Sequence, residues 1–251
     1  EKLKRSPLRV RSYGSFWAFY PSTASGFGVD DLGFFFGLVP KRFVKFSNVL
    51  LIKNYFKNDL RPPALRAFPI LGQDHILDLL NVKYLILPSN PRFYAQFNLY
   101  RQMKLPPLVY NREVRVFERP TAFPRVFIVH RAIFEPREQA ALAEIDKLGP
   151  RLRNVAVITS PLIPDVMARL LTAPIQDNSS ARIVKYTPNE VLVEAHMQHP
   201  GIVVLGDPII PTGKSTSTDA PGKSCPPTIS CAAFFSCPAI MKSNLSLSPD
   251  H

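Results

Sequence analysis

The segment Asp74-His75-Ile76-Leu77-Asp78-Leu79-Leu80-Asn81-Val82-Lys83-Tyr84-Leu85-Ile86-Leu87-Pro88 restricts the fold more than any other part of the chain. Ile76, Leu77, Leu79 and Leu80 predict a short helix with one apolar side, and Val82 to Leu87 is an apolar run of strand length. A strand without polar alternation has no face to offer to water, so it must be covered on both sides. Pro88 lacks the N–H that a continuing ladder needs and ends the run. A helix passing directly into a doubly covered strand predicts a mixed α/β chain. Proline, at 26 residues against 11 glycines, argues in the same direction, because it shortens helices.

The remaining elements follow from periodicity. Leu8 to Tyr13 reads as a strand, followed by a Gly/Ser loop that carries Phe16, Trp17, Phe19, Tyr20 and Phe27. A helix is predicted from about Pro40, with Phe43, Phe46, Val49 and Leu50 at the spacings of one buried face. Val109 to Glu118 is read as one strand, alternating in its second half with Val114 and Val116 on one face. Glu113, Arg115 and Phe117 take the other face. Pro124 to His130 reads as a further strand, and Pro136 to Leu148 as a helix stopped by Gly149-Pro150. Ala181–Tyr186 and Val191–Met197 form a predicted hairpin around Thr187-Pro188-Asn189-Glu190. Gly201 to Leu205 is a last buried strand. The expected organisation is a mixed α/β (α+β) region over 1–150, a β-rich continuation over 151–208 and a separate tail over 209–251.

Hydrophobic residues make up 46% of the chain, too many for a disordered one and enough for a packed core. The formal charge of +12 invites a nucleic-acid reading. The basic residues of the first half stand singly or in pairs, however, with no RNP-like, zinc-finger or helix-turn-helix pattern. A solvated basic surface facing anionic lipid head groups fits better, and no nucleic-acid partner is expected. No segment reaches the roughly 18–20 apolar residues of a membrane span. The opening on Glu1 is what a piece cut from something longer would show.

Candidate chemistry is sparse. Trp17, Phe19 and Tyr20 offer flat faces on which a sugar can stack, although such aromatics more often fill a core. His75 stands beside Asp74 and Asp78, but no second ligand pair accompanies them at metal-site spacing. His130 is isolated at a strand end, and His196 and His199 flank a strand terminus that does not aim them at one ion. Gly213-Lys214-Ser215 and Gly222-Lys223-Ser224 resemble phosphate-loop ends, yet Pro208 and Ser217 stand where the loop needs glycine. Cys225, Cys231 and Cys237 fall at equal steps, unlike the close pairs of zinc sites. No catalytic residue, cofactor or metal is expected.

Several segments, taken in order, resemble the C-terminal region of the YfhO family of bacterial membrane proteins. They are DHILDLLNVKYLILP (74–88), VRVFERPTAFPRVFIVHRA (114–132), ARIVKYTPNEVLVEAH (181–196) and PGIVVLGDP (200–208), with VDDLGFFFGLVPKRFVKF (29–46) upstream. The resemblance covers about residues 8–208. It implies a long extracytoplasmic region that follows many membrane helices in a protein similar to GT-C glycosyltransferases, some of which glycosylate envelope polymers such as lipoteichoic acid. In that class the catalytic acid lies on early loops between membrane helices, so no catalytic residue is carried over here. The implied partners are the membrane-embedded part of the parent protein and a polyprenyl-linked sugar or cell-wall polymer acceptor.

After Asp207-Pro208 the chain departs from that family, becoming rich in Ser, Pro, Thr and Cys without hydrophobic period. A one-base shift of reading permits a family-like ending that opens Tyr-Tyr-Pro-Asp-Trp-Lys, with two bases of nearly every shifted codon set by the present residues. Residues from about 209 onward are therefore expected to be out of frame and disordered or poorly packed. Two other functions remain open on these residues. One is a free-standing carbohydrate-binding module using Trp17, Phe19 and Tyr20; the other is a basic nucleic-acid binder.

Overall fold

The computed structural model describes residues 11–14, 26, 28–32, 45–51, 74–90, 107–159, 178–187, 190–197, 199, 201–207, 216–219 and 239–243. The chain divides into two compact units, Glu1–Arg125 and Val126–His251. The fold is mixed α/β, as the helix-into-strand segment requires, and no helix among the described residues is long and apolar enough to cross a membrane.

The first unit is built on a five-stranded sheet ordered β2-β1-β3-β5-β4. Its strands are β1 (Arg11–Gly14), β2 (Asp30–Asp31), β3 (Val82–Pro88), β4 (Leu108–Asn111) and β5 (Val114–Glu118). β1 runs parallel to both β2 and β3, while β5 is antiparallel to β3 and to β4. Helix α1 (Asp74–Leu79) leads into β3 and buries Ile76, Leu77 and the following Leu80. It ends where Asn81 enters the left-handed region at φ 59°, a conformation that asparagine tolerates better than most residues. The Asn81 N–H donates to the Asp78 carbonyl at 2.9 Å, which satisfies an end of the helix before β3 begins. Val82 and the run Leu85 to Pro88 are buried, as a strand covered on both faces should be. In the predicted helix after Pro40, a wide helical turn spans Ser47–Leu51, with Phe46 and Leu50 buried. Phe43 lies outside the described residues.

Val109 to Glu118 is not one strand but the hairpin β4–β5, reversing at Arg112-Glu113. That turn carries no glycine. It is held by side chains instead: the Tyr110 hydroxyl donates to the Glu113 carboxylate and the Ser89 hydroxyl to the Arg112 carbonyl. In β5, Phe117 is buried while Val114, Arg115 and Val116 are all half-buried, and the Arg115 guanidinium lies 5.2 Å from the centre of the Phe117 ring.

The second unit contains a β–α–β element. β7 (Arg131–Phe134) and β8 (Val155–Ile158) pair in parallel and are joined by helix α2 (Glu138–Leu148). α2 buries Ala141, Leu142, Ile145 and Leu148, the spacing of one helical face. Gly149, at φ 55°, ends the α-helix, but Gly149-Pro150 does not stop the winding. Pro150, whose ring presets φ for a first helical turn, opens a 3-10 turn over Gly149–Arg153.

Around this element the unit is layered. β6 (Val126–Val129) and β11 (Ile202–Leu205) form an antiparallel pair. Val126, Val203 and Leu205 pack with Val191, Val193 and Ala195 of β10 (Glu190–His196). From the opposite face of the same pair, Val129, Ile202 and Val204 pack with Ala156 and Ile158 of β8. Being covered twice, β11 is buried throughout, which is why it reads as an unbroken apolar run. β9 (Ser180–Thr187) and β10 form the predicted antiparallel hairpin; Pro188 and Asn189 of its turn lie outside the described residues. Within 209–251 the described residues are β12 (Thr216–Asp219) and β13 (Ala239–Ser243). β13 runs parallel to β10, and β12 parallel to β13.

Candidate functional site

In the first unit two places on the sheet are candidates, one at each end of the parallel strands. At the amino ends, the loop after β5 folds back onto α1 and carries two arginines into the interior. Arg119 Nη2 donates to Asp78 Oδ1 at 2.6 Å, and the Thr121 hydroxyl donates to the same oxygen at 2.9 Å. The Asp78 backbone carbonyl accepts from the Phe123 N–H at 3.0 Å. Asn81 Nδ2 returns a bond of 2.6 Å to the Phe123 carbonyl, and the Arg119 N–H donates to the Lys83 carbonyl at 2.7 Å. Farther along, the buried Arg125 pairs with Asp30 at 3.1 Å, and the Ser12 hydroxyl donates to Asp31 at 3.0 Å. Every one of these contacts ties one chain segment to another. Their chemistry is that of a clamp: a buried ion pair, with the Thr121 hydroxyl on the same carboxylate oxygen, that sets how the 119–125 loop meets α1 and β3.

At the carboxyl ends the topology differs. β1 has β2 on one side and β3 on the other, all parallel, so the connections of β1 and β3 leave in opposite directions. Ligands of α/β sheets commonly sit beside such a switch point. The chain leaving β1 at Gly14 enters the sequence that holds Phe16, Trp17, Phe19 and Tyr20. Trp17, Phe19 and Tyr20 themselves lie outside the described residues.

The histidines are scattered. His75 is half-buried on α1, where the neighbouring Asp78 carboxylate is committed to Arg119 and Thr121. His130 is buried between β6 and β7, and a Cβ on Gly201 would lie 3.0 Å from its ring and from Ile128, a tight contact that glycine avoids. His196 is exposed at the end of β10, with Nε2 4.0 Å from Glu194, and His199 is exposed beyond it. Among the described residues no three His, Cys, Asp or Glu side chains gather as a metal site would need. Cys225, Cys231 and Cys237 and the two Gly-Lys-Ser triplets lie outside the described residues.

The buried pair Asp78–Arg119, the half-exposed pair Arg125–Asp30 and the Tyr186 hydroxyl donating to buried Asp207 at 2.9 Å were not read from the sequence. A signal was present for the first. Asp78 interrupts the apolar stretch Ile76 to Leu80, and a carboxylate in such a place needs a cation. Comparison with protein-family models, with curated proteins and with solved structures gives no match.

Proposed function

We propose that this chain is a non-catalytic module from the extracytoplasmic C-terminal region of a YfhO-type bacterial membrane protein, serving the glycosylation of an envelope polymer such as lipoteichoic acid. Its partner is the membrane-embedded part of the parent protein, over which it helps to hold a polyprenyl-linked sugar or the acceptor polymer. The observation that carries the reading is the clamp at Asp78. Two of the family-like segments, 74–88 and 114–132, are the ones fastened to each other through Asp78, Asn81, Arg119, Thr121 and Phe123. Side chains that interlock in this way explain why two distant motifs would travel together in a sequence. Sequencing the locus on both sides of the coding segment tests the proposal. An upstream frame coding for many membrane helices is expected, together with a one-base correction that restores a Tyr-Tyr-Pro ending; a start codon directly before Glu1 and an intact stop after His251 would overturn it.

One observation favours a second reading, a free-standing carbohydrate-binding module. The switch point between β1 and β3 is where the aromatic-rich sequence begins. A glycan-binding screen separates the two, with Trp17→Ala as the control. Binding that Trp17→Ala removes supports the module, and no binding by the unaltered chain eliminates it.

A further inference from the structure

We propose that the hairpin edge β4 docks this chain onto an anionic lipid bilayer at head-group depth. β4 is the outermost strand of its sheet, and Leu108, Val109 and Tyr110 in succession are 43%, 39% and 42% exposed. Three apolar side chains in succession are therefore open to solvent along this edge. Apolar side chains left this open on an edge strand gain by leaving water for an apolar boundary.

The backbone of this edge is poorly suited to a protein strand. Pro107, directly before β4, offers no N–H, and the register of β4 shifts between Leu108 and Tyr110. Prolines and bulges are the devices by which sheet edges refuse another chain. A bilayer surface makes no demand for a ladder. At head-group depth water still reaches the open N–H and C=O groups, and the side chains alone enter the acyl boundary. Tyr110 suits that position, since its ring is apolar and its hydroxyl is already satisfied by Glu113.

Charge selects the lipid. The whole chain stands at +12, so a surface of like-signed anionic head groups attracts it. Arg112 is exposed at the tip of the hairpin. Basic residues interleaved with aromatic and aliphatic ones bind anionic head groups while the apolar side chains anchor. This inference goes beyond the family reading, since it stands on the exposed strand and the charge and is tested on vesicles alone.

The test is co-sedimentation of the full chain with phosphatidylcholine vesicles, with and without phosphatidylglycerol. Binding to the phosphatidylglycerol vesicles is expected, weakened roughly tenfold or more in L108S/V109S/Y110S with circular dichroism unchanged. A second variant places Val109→Trp in a Trp17→Phe background. Its emission should shift to the blue and be quenched by brominated lipid. Unchanged emission with vesicles overturns the proposal, as does equal binding by the triple variant or no binding by the unaltered chain. So does a lipid-free dimer that the triple variant dissociates, because the edge would then join two copies.

Discussion

The side chains of Asp78 and Arg119 are 10% and 4% exposed, and that burial makes their pairing consequential. A charge taken from water and then deprived of its partner costs about 3–5 kcal/mol, whereas an intact pair is close to neutral against apolar replacements. Asp78→Asn keeps the volume and removes the charge, so urea unfolding should show a loss of about 3 kcal/mol. Replacing both partners, as D78L/R119M, should cost less than Asp78→Asn alone. A loss below about 1 kcal/mol for Asp78→Asn would mean that water reaches Arg119. Tyr110 and Glu113 give a test of the opposite kind, at an exposed turn. The Tyr110 hydroxyl holds the Glu113 carboxyl below the usual carboxylate range, and the same bond raises the Tyr110 phenol. A depressed acid stabilises above its unfolded pKa and loses that contribution as pH falls through the folded value. A raised phenol stabilises below its unfolded pKa and loses its contribution as pH rises through the folded value. The turn is thus held best at neutral pH and loosens in acid and in strong alkali. Tyr110→Phe should move the Glu113 titration upward, read from its carboxyl carbon by NMR; an unmoved midpoint would refute the bond.

Helix α2 shows what an element contributes when its pattern is legible. Ala141, Leu142, Ile145 and Leu148 recur at helical spacing, and all are buried. Leu142→Ala should cost about 2–5 kcal/mol in chemical denaturation, while Lys147→Ala, on the exposed side, should stay within about 0.5 kcal/mol. A Leu142→Ala loss no larger than that of Lys147→Ala would remove α2 from the core. The helix has no side-chain cap at Arg137; Glu135 does related work, accepting from the Arg137 N–H and guanidinium, both at 3.0 Å. The β9–β10 hairpin and β11 were equally legible, through alternation and an unbroken apolar run. β7 and β8 were not. Each spans only four residues, and β7 begins directly after His130, where the strand read from Pro124 ends. β4 and β5 merged for a related reason, since a turn held by Tyr110, Glu113 and Ser89 leaves no glycine or proline mark.

Across the whole molecule, the division between compact units falls at Arg125/Val126, inside the run that begins at Pro124. No Gly/Ser-rich linker announces it, because what divides the units is which strands meet in space. The candidate site was legible to the same degree. Aromatic content singled out Trp17, Phe19 and Tyr20 from composition, whereas the switch point beside Gly14 became visible only when β1 was found between two parallel neighbours. Local chemistry is written along the chain, and so the sequence by itself determined the helix-into-strand step at Asn81, the mixed α/β class and the runs that must be covered twice. Which runs cover which was decided only by the tertiary structure. Val126–Val129 meets Ile202–Leu205, and Arg119 finds Asp78, through contacts far apart in the chain. Periodicity states that a face must be buried; the partner is chosen by the arrangement that buries all such faces at once and leaves no charge alone.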